Sequence, residues 1–241
     1  MSRVIGIIGG MSWQTTALYY KTINQHVNSR LGGLHSANLL LRSIDYANIA
    51  HMVTACDSEG MTRLLCDRGQ ELKCAGAESL VLCANVAHKA ADTLEKQTAL
   101  PVLHVADFAA REVARSGLRK VGLLATRAVM EEDFYKARMR DRFGLDIIVP
   151  DVDFRAKADD LIFRELSKDP IPSEAKTAFH TAYTNLLRDH GIECTVLACT
   201  ELRLVFDASE MDVPVFETTT LHAKGIAEWA LDLRGGNNSA M

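Results

Sequence analysis

The sequence predicts an α/β fold of mostly parallel strands, laid out as two related halves. Three observations carry this expectation. Short apolar runs alternate with longer amphipathic stretches, as when strands are separated by covering helices. Two of the apolar runs end alike, Leu80-Val81-Leu82-Cys83 and Val196-Leu197-Ala198-Cys199, each in a cysteine. Each cysteine also stands 77 residues after a glycine in an apolar run, Gly6 in VIGIIGG and Gly122 in KVGLLAT, and precedes a Pro-led run, PVLHVADF from Pro101 or PVFETTT from Pro214.

The elements follow in order. Strands are expected near residues 3–9, 38–44, 79–84 and 102–106 in the first half, and near 120–125, 146–149, 194–199 and 214–217 in the second. Between them Met61, Leu64, Leu65 and Leu72 keep helical spacing, as do Ala175, Phe179, Ala182 and Leu186. Ser173, after Pro172, is the expected N-cap of the latter helix and Gly191 its stop. A helix through Arg115 that ends at Gly117 marks the boundary, giving domains 1–113 and 114–212. The segment 213–233 is expected to pack back on the first domain, and the polar, Gly-rich tail 234–241 to fray.

At 241 residues the protein has ample length for a core, and 48% hydrophobic with 24% charged residues is the balance of a soluble globular protein. A net charge of −4 offers no general attraction to nucleic acid or to an anionic membrane. No apolar run approaches the roughly 20 residues that cross a bilayer, and Val4 to Gly10 is too short for a secretion signal. The expected location is the cytoplasm. None of the six cysteines forms a CxxC pair, so neither a metal site nor a dithiol motif is expected. Cys56, Cys66 and Cys74, in a helix-like region, read as small buried hydrophobes.

Cys83 and Cys199 carry the chemistry. Ligands of open parallel sheets bind at the carboxyl ends of strands, beside helix N-termini, whose N–H groups lower a thiol pKa and hold carboxylates. Asn85 and Thr200 follow the cysteines and suit a substrate carboxylate or ammonium, or else a turn. Glu201 suits an ammonium group or a helix start, and His88, five residues after Cys83, suits proton transfer or a structural role. The glycines of GIIGGMSWQTT miss the GxGxxG spacing of a dinucleotide fingerprint. A close approach of backbone to a small ligand, lined by Met11 and Ser12, is the better reading. Thr126 lines the other side or caps a turn, and Arg42 is a partner for an acidic side chain or a plain surface residue.

Taken together, GGMSWQTT, LGGLHSA, LLLRSIDY, LVLCANVAHK, LLATRAVMEEDFY and LACTEL resemble the aspartate/glutamate racemase family, and its broad-specificity amino-acid racemase branch in particular, from about residue 3 to residue 230. The resemblance implies two α/β domains facing each other across a cleft, a homodimer, and two-base racemisation of an amino acid without cofactor. It places the catalytic cysteines at Cys83 and Cys199, the carboxylate-holding residues at Asn85 and Thr200, and a further contact at Met11. Where the family reads close to CTNTMHK, this sequence has CANVAHK, so Ala84 and Val86 replace threonines and Ala87 a methionine. Two lost hydroxyls remove hydrogen bonds of roughly 0.5–1.5 kcal/mol each, which singles out Val86 as a pocket residue and leaves the substrate open. The competing readings are decarboxylation or cis–trans isomerisation of a small diacid, non-catalytic amino-acid binding, and a Cys83–His88 hydrolase or acyltransferase.

Overall fold

The computed structural model describes residues 2–55, 57–166 and 168–232. Cys56, expected as a buried thiol, residue 233, and the tail 234–241, expected to fray, lie outside the described residues. The order of elements begins β1 (Ile5–Gly9), α1 (Trp13–Leu31), β2 (Leu39–Ser43), α2 (Tyr46–Thr54), α3 (Ser58–Cys74), β3 (Ser79–Leu82), α4 (Ala91–Thr98) and α5 (Val105–Arg115). It continues through β4 (Lys120–Ala125), α6 (Arg127–Glu131), α7 (Asp133–Phe143), β5 (Asp146–Ile148), α8 (Val152–Asp160), α9 (Ser173–His190), β6 (Cys194–Ala198), β7 (Val215–Glu217) and α10 (Thr218–Leu231). Two units emerge: the described residues up to His104 together with those from His222 on, and Val105–Leu221.

The first unit carries a parallel sheet in the order β2-β1-β3. Every residue of β1 and β3 is buried, which fits the apolar runs Ile5–Gly9 and 80–82, since strands of a parallel sheet are covered on both faces. Ile8, Leu80 and Leu82 meet Leu65 of α3 and Leu94 of α4 in one core. Gly69 lets α3 approach closely, because a Cβ there would lie 2.5 Å from Leu94 Cδ1. The second unit carries the parallel order β5-β4-β6-β7. Phe154, Phe179 and Phe206 stack edge to face beneath it, and Asp107 of α5 takes a two-pronged bond from Arg138 of α7 plus one from Arg142.

The duplication is visible in the pairing. Gly6 sits opposite Leu80 and Gly122 opposite Thr195, and Leu80 and Thr195 each donate an N–H to a proline carbonyl, Pro101 and Pro214, at 2.9 Å. The cysteines do not match in the same register. Cys83 lies three residues beyond Leu80 and Cys199 four beyond Thr195, so the equal sequence spacing hides an offset of one residue. Sheet positions alternate face with a period of two, so that offset distinguishes the two ends.

Four expectations need correction. The strand at 102–106 is a single bridge between Val102 and Leu80, because Val105, Ala106, Ala109, Ala110 and Val113 are buried at helical spacing and α5 begins at once. Of the segment 213–233, the strand β7 joins the second sheet through Thr195↔Val215, whereas α10 from His222 on belongs with the first unit, where Ala230 O accepts from Arg3 N at 3.0 Å. Ser173 is the first residue of α9 rather than its cap, since Pro172 takes the cap position; Gly191 ends the helix in the left-handed region at φ 58° as expected. Cys66 is buried but Cys74, in the last turn of α3, is exposed. Among the described residues no helix is long and apolar enough to cross a membrane, and no group of histidines, cysteines and carboxylates is arranged to hold a metal ion.

Candidate active site

Cys83 comes directly after β3, and its backbone N–H reaches Ile8 O at 3.3 Å, continuing the β1–β3 ladder by one step. The thiol is 1% exposed. The next element is a short 3₁₀ turn, Val86–Ala90, not an α-helix N-terminus. The expected lowering of the thiol pKa is therefore absent. Burial pushes the Cys83 thiol up, and a hydrogen bond with the Thr16 side chain offsets part of that.

Thr16 stands one turn inside α1. Its hydroxyl accepts from Gly10 N at 2.9 Å and donates to Ser12 O at 2.9 Å. Ser12 is the N-cap of α1, its Oγ accepting from Thr15 N at 3.3 Å. Gly10 makes the close approach expected of it, but toward the protein's own backbone: at φ +92°, an added Cβ would lie 2.0 Å from Ile44 O. Met11, between them, is buried. The glycine turn thus locks α1 onto the end of β2 and brings Thr16 to the thiol.

Asn85 and Val86, beside Cys83, are half-buried at the start of the 3₁₀ turn, with Asn85 O accepting from His88 N at 3.2 Å. His88 is buried and its Nδ1 lies 3.0 Å from Ala84 O, so this nitrogen carries the proton and holds the carbonyl next to the cysteine. Its ring packs 4.5 Å from His104 and 5.7 Å from His222, whose Nδ1 accepts from Tyr19 OH at 2.8 Å and whose Nε2 donates to Leu103 O at 2.7 Å. Arg42 does find a carboxylate, but one from the same protein: Nε bonds Glu71 at 2.6 Å and Nη1 bonds Ser43 O at 2.9 Å.

The second thiol is built differently. Cys199 comes directly after β6, is 9% exposed, and precedes another short 3₁₀ turn, Thr200–Leu204. Its Sγ donates to Glu201 Oε2 at 2.9 Å, and Thr200 Oγ1 donates to the same oxygen at 2.8 Å. Burial pushes this thiol well up, and the Glu201 charge pushes further in the same direction, with Asp159 adding to it. Asp159 accepts from Arg127 N at 2.8 Å, at the start of α6. Thr126 holds the cap position of α6 in extended backbone, without a capping bond from its own side chain. Since Ala125 pairs with Ala198, Thr126 and Cys199 are the next residues on adjacent strands.

Sequence reasoning misses Thr16 and Asp159 and reads Glu201 as a substrate contact. Thr16 lies inside GGMSWQTT, six residues after Gly10, so a signal is present: a β-branched hydroxyl one helical turn past a glycine turn. Asp159, 40 residues before Cys199, has none.

Residues 8–226 match the family described as Asp/Glu/Hydantoin racemase. The broad specificity amino-acid racemase RacX of Bacillus subtilis (strain 168) is 20% identical over 231 residues, covering 92% of this chain and 95% of that protein. The crystal structure of a Yersinia pestis protein described as a candidate Asp/Glu racemase superposes with a TM-score of 0.89 at 39% identity, over 95% of this chain and 99% of the other. An aspartate racemase homologue from Pyrococcus horikoshii OT3 gives 0.80 at 27% identity, over 96% and 100%. With its two parallel sheets, its thiol at the end of β3 and another at the end of β6, the chain belongs to the Asp/Glu/hydantoin racemase family, isomerases that work without pyridoxal phosphate.

Proposed function

We propose that the protein racemises an α-amino acid by two-base proton transfer, with Cys83 and Cys199 serving opposite faces of the α-carbon. The observation that carries this reading is that both thiols are buried at the carboxyl ends of β3 and β6, with the Thr16 side chain against Cys83 and with Cys199 donating to Glu201 at 2.9 Å. A buried thiol far from its ordinary pKa is a functional candidate when a specific partner sits beside it.

In the first step Cys199 passes its proton to Glu201, so that the thiolate forms without placing two negative charges side by side. The thiolate then takes the α-proton: the C–H bond breaks, an S–H bond forms, and the electron pair moves into the substrate carboxylate. Cys83 gives its thiol proton to the opposite face and is left as thiolate against the Thr16 hydroxyl. For the other enantiomer the roles reverse. Proton transfer of this kind contributes about 10²–10⁴-fold, and the rest falls to groups that stabilise charge on the substrate carboxylate. We assign that role to Asn85 and Thr200, two residues and one residue after their thiols.

The substrate is an amino acid whose side chain the sequence leaves open. Arg42, the residue suited to a substrate's second carboxylate, already bonds Glu71. The test therefore takes neutral and basic amino acids beside aspartate and glutamate. Each is incubated in D₂O and the α-proton signal followed by NMR, with Cys83→Ser and Cys199→Ser in parallel. Exchange that yields both enantiomers and needs both cysteines is the expected result. Exchange that survives either substitution unchanged would overturn the two-base reading, and binding without exchange across the panel would favour a non-catalytic role.

A further inference from the structure

The hydroxyl of Thr16 has one proton and two lone pairs, and three neighbours. Gly10 N–H donates to it at 2.9 Å, Ser12 O lies 2.9 Å away as an acceptor, and Cys83 follows the Ile8–Leu82 pair, beside the Gly9 against which Thr16 packs, where its thiol meets the Thr16 side chain. With Cys83 as a thiol every group is satisfied: Gly10 N–H and the S–H donate to Thr16 Oγ1, and Thr16 donates to Ser12 O. With Cys83 as a thiolate the sulfur needs a donor. Rotation of the hydroxyl about the Cβ–Oγ1 bond of Thr16 supplies one, and Ser12 O is not orphaned, because it also accepts from Thr16 N at 3.2 Å. The Gly10 N–H bond is kept in both states.

The loop is built to seat this hydroxyl. A Cβ on Gly9 would lie 2.5 Å from Thr16 Cγ2 and 2.9 Å from its Oγ1, so a side chain at position 9 would displace it. Thr16 itself is 5% exposed, so water does not compete freely for the sulfur. We propose that Thr16 is a positioning residue for Cys83, whose hydroxyl proton serves Ser12 O while Cys83 is a thiol and turns to the sulfur when Cys83 is a thiolate. The proposal rests on the reading of Cys83 as a proton-transfer group and adds a residue to it. The partner on this side is a neutral hydroxyl, in contrast to Glu201 beside Cys199.

The test reads thiolate formation directly. Cys83 is alkylated with iodoacetamide at several pH values between about 7 and 9, bracketing the ordinary thiol pKa, and the extent is measured by peptide mass mapping, with the exposed Cys74 as internal standard. Thr16→Val keeps the shape and removes the hydroxyl; it is expected to slow Cys83 relative to Cys74 by roughly ten- to a hundredfold, the range for a hydrogen bond to a charged group. Thr16→Ser keeps the hydroxyl and is expected to restore the rate, which a purely space-filling role would not do. Should Thr16→Val fail to fold, Thr16→Ala is read in the same way. Alkylation of Cys83 at the parent rate in Thr16→Val or Thr16→Ala overturns the proposal. The two readings fail separately: α-proton exchange that persists in Cys83→Ser defeats the catalytic reading, whereas loss of exchange in Cys83→Ser with unchanged alkylation in Thr16→Val defeats only the role of Thr16.

Discussion

Replacing Glu201 with glutamine separates its charge from its shape. The carboxylate oxygen lies 2.9 Å from Cys199 Sγ. Two unit charges at that distance repel by about 6 kcal/mol at an effective dielectric of about 20, which is about four decades of thiolate population at about 1.36 kcal/mol per decade. Solvent reaches the half-buried Glu201 and screens part of this, so half that exponent, about a hundredfold, is the working expectation. Glu201→Gln deletes the repulsion and leaves an amide that can donate to the sulfur. Cys199 should then be alkylated by iodoacetamide at about pH 8, just below the ordinary thiol pKa, about a hundredfold faster than in the parent. Racemisation should move the other way, falling by about 10² or more, because an amide cannot take the thiol proton. Faster alkylation with lost turnover is a combination that simple damage to the site does not produce. Alkylation no faster than in the parent would show that the Glu201 charge does not govern Cys199, and would refute the reasoning.

Three further outcomes concern other parts of the molecule. Thr195 Oγ1 is buried in β6 with no protein partner among the described residues, so Thr195→Val, which keeps the shape, should stabilise by about 1 kcal/mol and raise Tm by about 2–4 °C; an unchanged or lower Tm in a thermal melt refutes this. Gly10→Ala forces a side chain into a left-handed position against the Ile44 backbone and should cost about 3 kcal/mol or more in urea unfolding, a loss within about 1 kcal/mol being the contrary result. His222 is held well below its ordinary pKa of 6.5 by burial, with His88 adding to it. The folded protein keeps it neutral while the unfolded polypeptide binds a proton below about pH 6.5. Its contribution is therefore full above that pH and lost as pH falls below it, by about 2 kcal/mol between about pH 7 and 5. Urea midpoints across that range should drop in the parent and change less in His222→Gln, and equal slopes would defeat the assignment.

Most of the strands, and the position of the two thiols at the ends of β3 and β6, are legible because their signals are local. A run such as Leu80-Val81-Leu82-Cys83 declares a buried strand with a polar end, and each family motif is a short contiguous string. The Pro-led run from Pro101 is ambiguous, because it fits a strand and a helix start equally well until Ala109, Ala110 and Val113 fix the period. Partnerships between distant residues leave no such trace. Arg42 meets Glu71 across 29 residues, and His222 joins Tyr19 across 203. The offset between Cys83 and Cys199 is hidden for another reason: residue counts between elements include loops, and only the pairing of Gly6 with Leu80 and of Gly122 with Thr195 removes them.

That offset belongs with a chemical asymmetry. Cys199 shares its proton with an anion, whereas Cys83 meets the neutral hydroxyl of Thr16. Moving a proton from Cys199 to Glu201 leaves the charge of the pair unchanged, while ionising Cys83 places a new charge in an apolar setting, the costlier act. On the proposed mechanism the second thiol is thus the readier base and the first the readier acid. The free energies of the two enantiomers in water are equal, so kcat/KM must be the same in both directions whatever the asymmetry of the bases. The difference between the thiols can then appear only as matched changes in kcat and KM. A duplicated fold does not require its two halves to ionise alike, and here the step from Thr16 to Glu201 as partner is what sets them apart.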